Sequence, residues 1–146
     1  MKTWRTVVMK PLHYVALLAC VAVLAVPIAG CSKGNQPPLG SVTGTVTLDG
    51  KPLANADVTF QPVGPGRAAM ATTDDQGRYE MTYLNDVKGA LVGATVVMIT
   101  TAKSGSDDGK TPAVPERLPK QYHKESTLKV EVAEGSNTFN FDLKSK

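Results

Sequence analysis

Few side chains in this 146-residue sequence are of a type and spacing that could do chemistry. Cys31 closes the stretch LAVPIAGCSKG, residues 24 to 34, where an apolar run meets a polar, Pro-rich one. A thiolate is the one good nucleophile available to form a thioether at neutral pH. His123 is the sole histidine after Cys31 and would have to supply any general base. Asp74, Asp75, Asp107 and Asp108 offer hard oxygens that suit calcium. Tyr83 and Tyr122 are the aromatics on which a sugar ring could rest, because the only tryptophan is Trp4.

Most of these have a plainer reading. DDQG at 74–77 suits a turn, since Asp bonds its own backbone there. GSDDGK has too few spaced acids for a defined calcium loop. One histidine among Lys120 and Lys124, with no cysteine after Cys31, gives neither a zinc ligand set nor a triad. No phosphate-binding Gly loop or dinucleotide motif occurs. The expectation is no catalysis, no metal and no cofactor.

Cys31 is different, because the segment ahead of it explains it. Lys2, Arg5 and Lys10 precede an uncharged run, YVALLACVAVLAVPIA, which closes on the small residues Ala29 and then Gly30. Basic start, apolar middle and small-residue end are the three parts of an export signal. The run is short of the roughly 20 apolar residues a permanent span needs, and Pro27 interrupts its end. Cys20 reads as one apolar residue of that leader.

Ile28-Ala29-Gly30-Cys31 resembles the lipobox of bacterial lipoproteins. The resemblance implies diacylglycerol transfer to the Cys31 sulfur, cleavage between Gly30 and Cys31, and acylation of the new amino group. It makes residues 1–30 a lipoprotein signal peptide, and two or more acyl chains anchor durably where one does not. Ser32 stands where an Asp would retain a lipoprotein at the inner membrane, which favours the outer membrane, facing periplasm or cell surface.

The charge belongs mainly to the leader. Its three bases leave 13 Lys and Arg against 13 Asp and Glu, so the body is neutral. A neutral body lacks the basic face that displaces counterions from phosphates, so no nucleic-acid partner is expected. The partners expected are the membrane, through the anchor, and an envelope protein or polysaccharide.

The body must position these residues with strands. Residues 31–40, the lipidated cysteine and SKGNQPPLG, read as a flexible tether. From residue 41 alternation is strong. Val42, Gly44, Val46 and Leu48 share a face, as do Ala56, Val58 and Phe60, then Tyr79, Met81 and Tyr83. Leu128, Val130 and Val132 do the same, and so do Phe139, Phe141 and Leu143. ATVVMITT, 94–101, is apolar through its middle and reads as a central strand; AAMATT, 68–73, is a weaker candidate. Turn residues at Asp49-Gly50, at 74–77 and at Glu134-Gly135-Ser136-Asn137 punctuate them, the last joining the final two strands. Seven short strands over 41–146 predict an all-β fold, an antiparallel β-sandwich. Residues 102–126 break the pattern as one long loop with three prolines. Such a loop is either a binding surface or a solvated excursion, here pinned by Leu118 and Tyr122.

GTVTLDGKPLANADVTFQP followed by ATTDDQGRYEM resembles the carboxypeptidase regulatory-like (transthyretin-like) domain. Gly44, Val46, Pro52, Leu53, Ala56, Val58, Phe60, Thr73, Asp74, Gly77 and Tyr79 carry the likeness. LPKQYHKESTLKVEVAEGSNTFNFDL is similar to the closing part of small bacterial lipoproteins built on that domain. These are turn and core residues, so the resemblance implies a fold and a non-catalytic structural or interaction role. A carbohydrate-binding module, using Tyr83 and Tyr122, is the alternative.

Overall fold

In a computed structural model the described residues are 37–146. The expected signal peptide, Gly30, Cys31 and most of the tether lie outside them.

The first strand, β1 (Leu39–Leu48), starts two residues before the expected boundary and is the axis of the first sheet. Asp49 and Gly50 both have positive φ, 52° and 79°, which closes a two-residue hairpin onto β2 (Lys51–Pro52). β5 (Arg78–Glu80) and β8 (Ala90–Leu91) pair antiparallel with the same side of β1. On its other side lie β11 (Gly135–Thr138) and β12 (Phe141–Leu143). The second sheet runs β10 (Lys129–Val132), β9 (Gly93–Thr100), β3 (Asp57–Pro62), β4 (Ala69–Thr72), β6 (Thr82–Leu84), β7 (Val87–Lys88), all antiparallel.

The fold is thus all-β, two six-stranded sheets in a sandwich-like arrangement, in place of seven continuous strands. Two alternating segments are cut because the chain changes sheet or bends inside them. RYEMTY divides at Met81, which is fully buried, so that β5 joins the first sheet and β6 the second. The last segment divides at Phe139–Asn140.

Two expectations about the C-terminal strands are corrected. β11 and β12 run parallel to β1, from Gly40↔Gly135 to Leu48↔Leu143, so the first sheet is mixed rather than antiparallel. Residues 134–137 do not join a hairpin, because β10 and β11 belong to different sheets. Gly135, at φ 83°, bends the chain across, and the Asn137 side chain satisfies the bend. Its Oδ1 accepts from Ala133 N–H at 2.9 Å and its Nδ2 donates to Ala133 O at 2.8 Å and Ser41 O at 3.1 Å.

The core holds what the alternation assigned to it. Val42, Val46, Ala56, Val58, Phe60, Tyr79, Met81, Val132, Phe141 and Leu143 are all buried. β9 is central in its sheet, yet it alternates, with Thr95, Val97 and Ile99 buried and Val96 and Met98 half-buried. All three phenylalanines gather with Tyr79 at ring separations of 6.0 to 6.4 Å, joining β3 of one sheet to β5 and β12 of the other. Such contacts add about 0.5–1.5 kcal/mol per pair beyond area burial.

Candidate functional site

The long loop after β9 is ordered by specific bonds. Lys103 and Val114 exchange backbone hydrogen bonds at 3.0 and 2.9 Å, making a small hairpin. Lys103 Nζ also pairs with Asp57 Oδ1 at the start of β3. Asp108 turns the hairpin tip, taking the Ser106 hydroxyl and the Lys110 N–H, with Lys110 Nζ at 3.0 Å. These bonds hold its carboxyl below the usual range, the Ser106 hydroxyl first.

Glu116 clasps the loop back onto the end of β9. Its Oε1 accepts the Thr101 hydroxyl at 2.6 Å, Thr101 N–H at 3.0 Å and Leu118 N–H at 3.0 Å, while Oε2 accepts the Thr100 hydroxyl. Burial alone would raise this carboxyl; the Thr100 and Thr101 hydroxyls and the backbone donors outweigh it and hold it well below the ordinary value of 4.5. Sequence reasoning missed Glu116, since nothing local in TPAVPERL distinguishes it from any loop glutamate.

Past the clasp, Leu118 is buried and a 3-10 turn at Lys120–Tyr122 carries Tyr122 inward. Tyr122 is 9% exposed and its hydroxyl accepts Lys144 N–H at 3.1 Å. It is a core residue that ties the C-terminus, and it offers no ring face to a ligand. The pinning role expected of Leu118 and Tyr122 is therefore what the fold contains.

Tyr83 is half-buried and packs partly on the core. It also lines a shallow groove with Gln61, Arg67, Met70 and Leu84. Tyr83 and Tyr122 are not brought together: one sits on β6, the other where the loop meets the C-terminus. His123 is half-buried, with Nε2 3.1 Å from Leu118 O. In the tautomer that carries the proton on Nε2, this is a donor bond to backbone. Asp74 is a turn residue, as its type suggested: Oδ1 accepts Gln76 and Arg78 N–H, both at 2.8 Å. Among the described residues no group of three or more His, Cys, Asp or Glu is placed to hold a metal.

The two outer faces of the sandwich differ in chemistry. On the first sheet, parallel register sets Ser41 beside Ser136, Thr43 beside Thr138 and Thr47 beside Asp142. Thr47 Oγ1 donates to Asp142 Oδ1 at 2.6 Å, and Thr45 Oγ1 to Asn140 Oδ1 at 3.0 Å. From Ser41 to Thr47 this face of β1 is polar; Leu39, opposite Leu91, is its apolar end. On the second sheet, Met98, Thr59 and Met70 stand in one cross-strand row, with Val96 beside Gln61 in the next. Met70 is 62% exposed, and Val63, just past β3, is 67% exposed.

No family model and no curated protein matches this chain. Among solved structures it is similar to a DUF3823 family protein from Parabacteroides merdae ATCC 43184, at 13% identity and TM-score 0.40, over 74% of this chain and 47% of that one. A second likeness is to a 9R-lipoxygenase from Cyanothece PCC8801, at 16% identity and TM-score 0.43, over 75% of this chain and 17% of that one. This chain spans about half the length of the first and about a sixth of the second. Both TM-scores lie below 0.5, so neither likeness bears on activity.

Proposed function

We propose that this chain is a non-catalytic, lipid-anchored module of the bacterial cell envelope, with a transthyretin-like (carboxypeptidase regulatory-like) β-sandwich as its body. It holds a partner protein or polymer near the membrane, most simply the outer membrane. The reading rests on Ile28-Ala29-Gly30-Cys31 behind a basic and apolar leader. The observation that carries the display role is the placement of the two ends of the body. Pro38 O accepts Val92 N–H at 3.1 Å and Leu39 pairs with Leu91, so the chain emerges from its tether at the start of β9. The clasped loop leaves from the other end of β9, where Thr100 stands beside Asp57. The Lys103–Val114 hairpin thus lies at the opposite end of β9 from Leu39, which supports a body that presents one end to a partner.

Mass spectrometry and fractionation test the anchor. The purified native protein should begin at an acylated Cys31, and Cys31→Ser should move it from the membrane to the soluble fraction. A chain beginning at Met1, or a Cys31→Ser variant still bound to membrane, overturns the reading in favour of an uncleaved helix.

A carbohydrate-binding module is the second reading, favoured by Tyr83 lining a groove with the hydrogen-bonding groups of Gln61 and Arg67. Envelope polysaccharide retained by the protein and released by Tyr83→Ala would establish it. Equal retention by the variant would remove it.

A further inference from the structure

We propose that the outer face of the second sheet lies against the anionic lipid surface that holds the anchor, which deepens the reading above and rests on it. The face sets apolar side chains among its threonines, where the Ser41–Thr47 stretch of its counterpart on the first sheet has none. Met70 and Met98 flank Thr59 in one row, and exposed Val63 extends the surface towards the tethered end.

Its charges point to an anionic occupant. The acids at its border are engaged within the molecule: Asp57 by Lys103 and Thr72, Glu116 by the threonines and backbone. The bases are not. Among the described residues Arg67, beside Met70, Lys124, beside Met98, and Lys129, opposite Val96, form no ion pair; Glu131, opposite Ala94, is an unpaired acid on the same face. Apolar side chains ringed by uncompensated cations bind an anionic interface through buried area and electrostatic attraction together.

Reach favours lipid over a separate protein. From Cys31 to Leu39 is eight residues, at most about 29 Å when extended. That short a leash keeps the face at high effective concentration against the bilayer, so modest contacts suffice. Lying this way, the body leaves the polar face of the first sheet in water.

The test uses the full-length protein as matured in the cell, reconstituted in vesicles of phosphatidylglycerol and phosphatidylethanolamine. An environment-sensitive dye is attached through Met70→Cys, Met98→Cys or Thr45→Cys, and aqueous iodide is the quencher. Expected is about fivefold weaker quenching at positions 70 and 98 than at 45, reduced by Arg67→Glu with Lys124→Glu and by high salt. Similar quenching at all three sites, with Cys31 acylated by mass, overturns the docking and leaves the anchor standing. Protection at 70 and 98 with Cys31 unmodified keeps the docking and overturns the anchor; no protection and no acylation overturns both. Protection without vesicles assigns the face to a second copy. Protection only in native envelope membranes assigns it to an envelope protein. Either result overturns the proposal.

Discussion

The Tyr79 hydroxyl donates a hydrogen bond to the Phe139 carbonyl at 2.7 Å, linking residues 60 apart in the chain. Three other features make that bond possible. Gly44 leaves room for the turned carbonyl, since a Cβ there would stand 1.8 Å from Phe139 O. Asn140 Oδ1 takes the Thr45 N–H at 3.0 Å that the ladder would otherwise leave free. Burial pushes the Tyr79 phenol up, so it stays protonated and able to donate. Gly44 and Tyr79, both matched to the transthyretin-like pattern, thus serve one break in the strand pairing.

Tyr79→Phe should therefore cost about 1–3 kcal/mol, read by urea denaturation, because it strips a carbonyl of its partner. Gly44→Ala should cost more, with soluble yield falling sharply, because the added carbon meets backbone rather than a flexible side chain. A variant Gly44→Ala as stable as the parent would contradict the account of the break.

Thr73 is buried at 3% exposure, and its hydroxyl donates to Leu53 O at 2.6 Å while accepting Ala56 N–H at 2.9 Å. Thr73→Val keeps the shape and removes both bonds. Thermal unfolding should show a loss of about 1–3 kcal/mol, the range for stranding buried backbone groups.

Glu116 gives the loop a pH dependence of definite sign. Its carboxyl titrates lower in the folded protein than in the unfolded chain, so its contribution is complete above about pH 4.5 and fades as pH falls towards the folded value. Limited proteolysis of residues 102–116 should accelerate as pH is lowered below about 4.5, with an acid-stable protease. Glu116→Gln should show faster cleavage at neutral pH and a flatter profile.

Leu118 is buried at 5% exposure where the loop rejoins the core. Leu118→Ala should destabilise the domain by about 2–5 kcal/mol in denaturant titration. Val114→Ala, on the 43%-exposed side of the hairpin, should fall within about 0.5 kcal/mol of the parent.

Alternation is a local property, and it survives whatever sheet a strand joins. Phe60 and Val58 were legible as core for that reason, and Asp49-Gly50 as a turn because positive φ selects those residue types. Sheet membership is not local. Nothing in RYEMTY announces that Met81 crosses between layers, and Ser136 and Asn137 look like turn residues until β1 is there to pair with them. The same distinction governs the functional surfaces. Tyr122 is a candidate platform from the sequence because Trp4 is the only tryptophan, whereas in the fold it is buried and its hydroxyl accepts Lys144 N–H. The Met70–Thr59–Met98 row joins three strands, so no single segment displays it.

The parallel alignment of β1 with β11 and β12 has a kinetic consequence. β1 must wait, one side of its backbone unpaired, until residues 135–143, some 95 positions further on, are in place. Loop closure over so long a span is slow. Until it is complete, the open edge of the strand is a template for a second copy, so assembly is most exposed to aggregation while that side is bare.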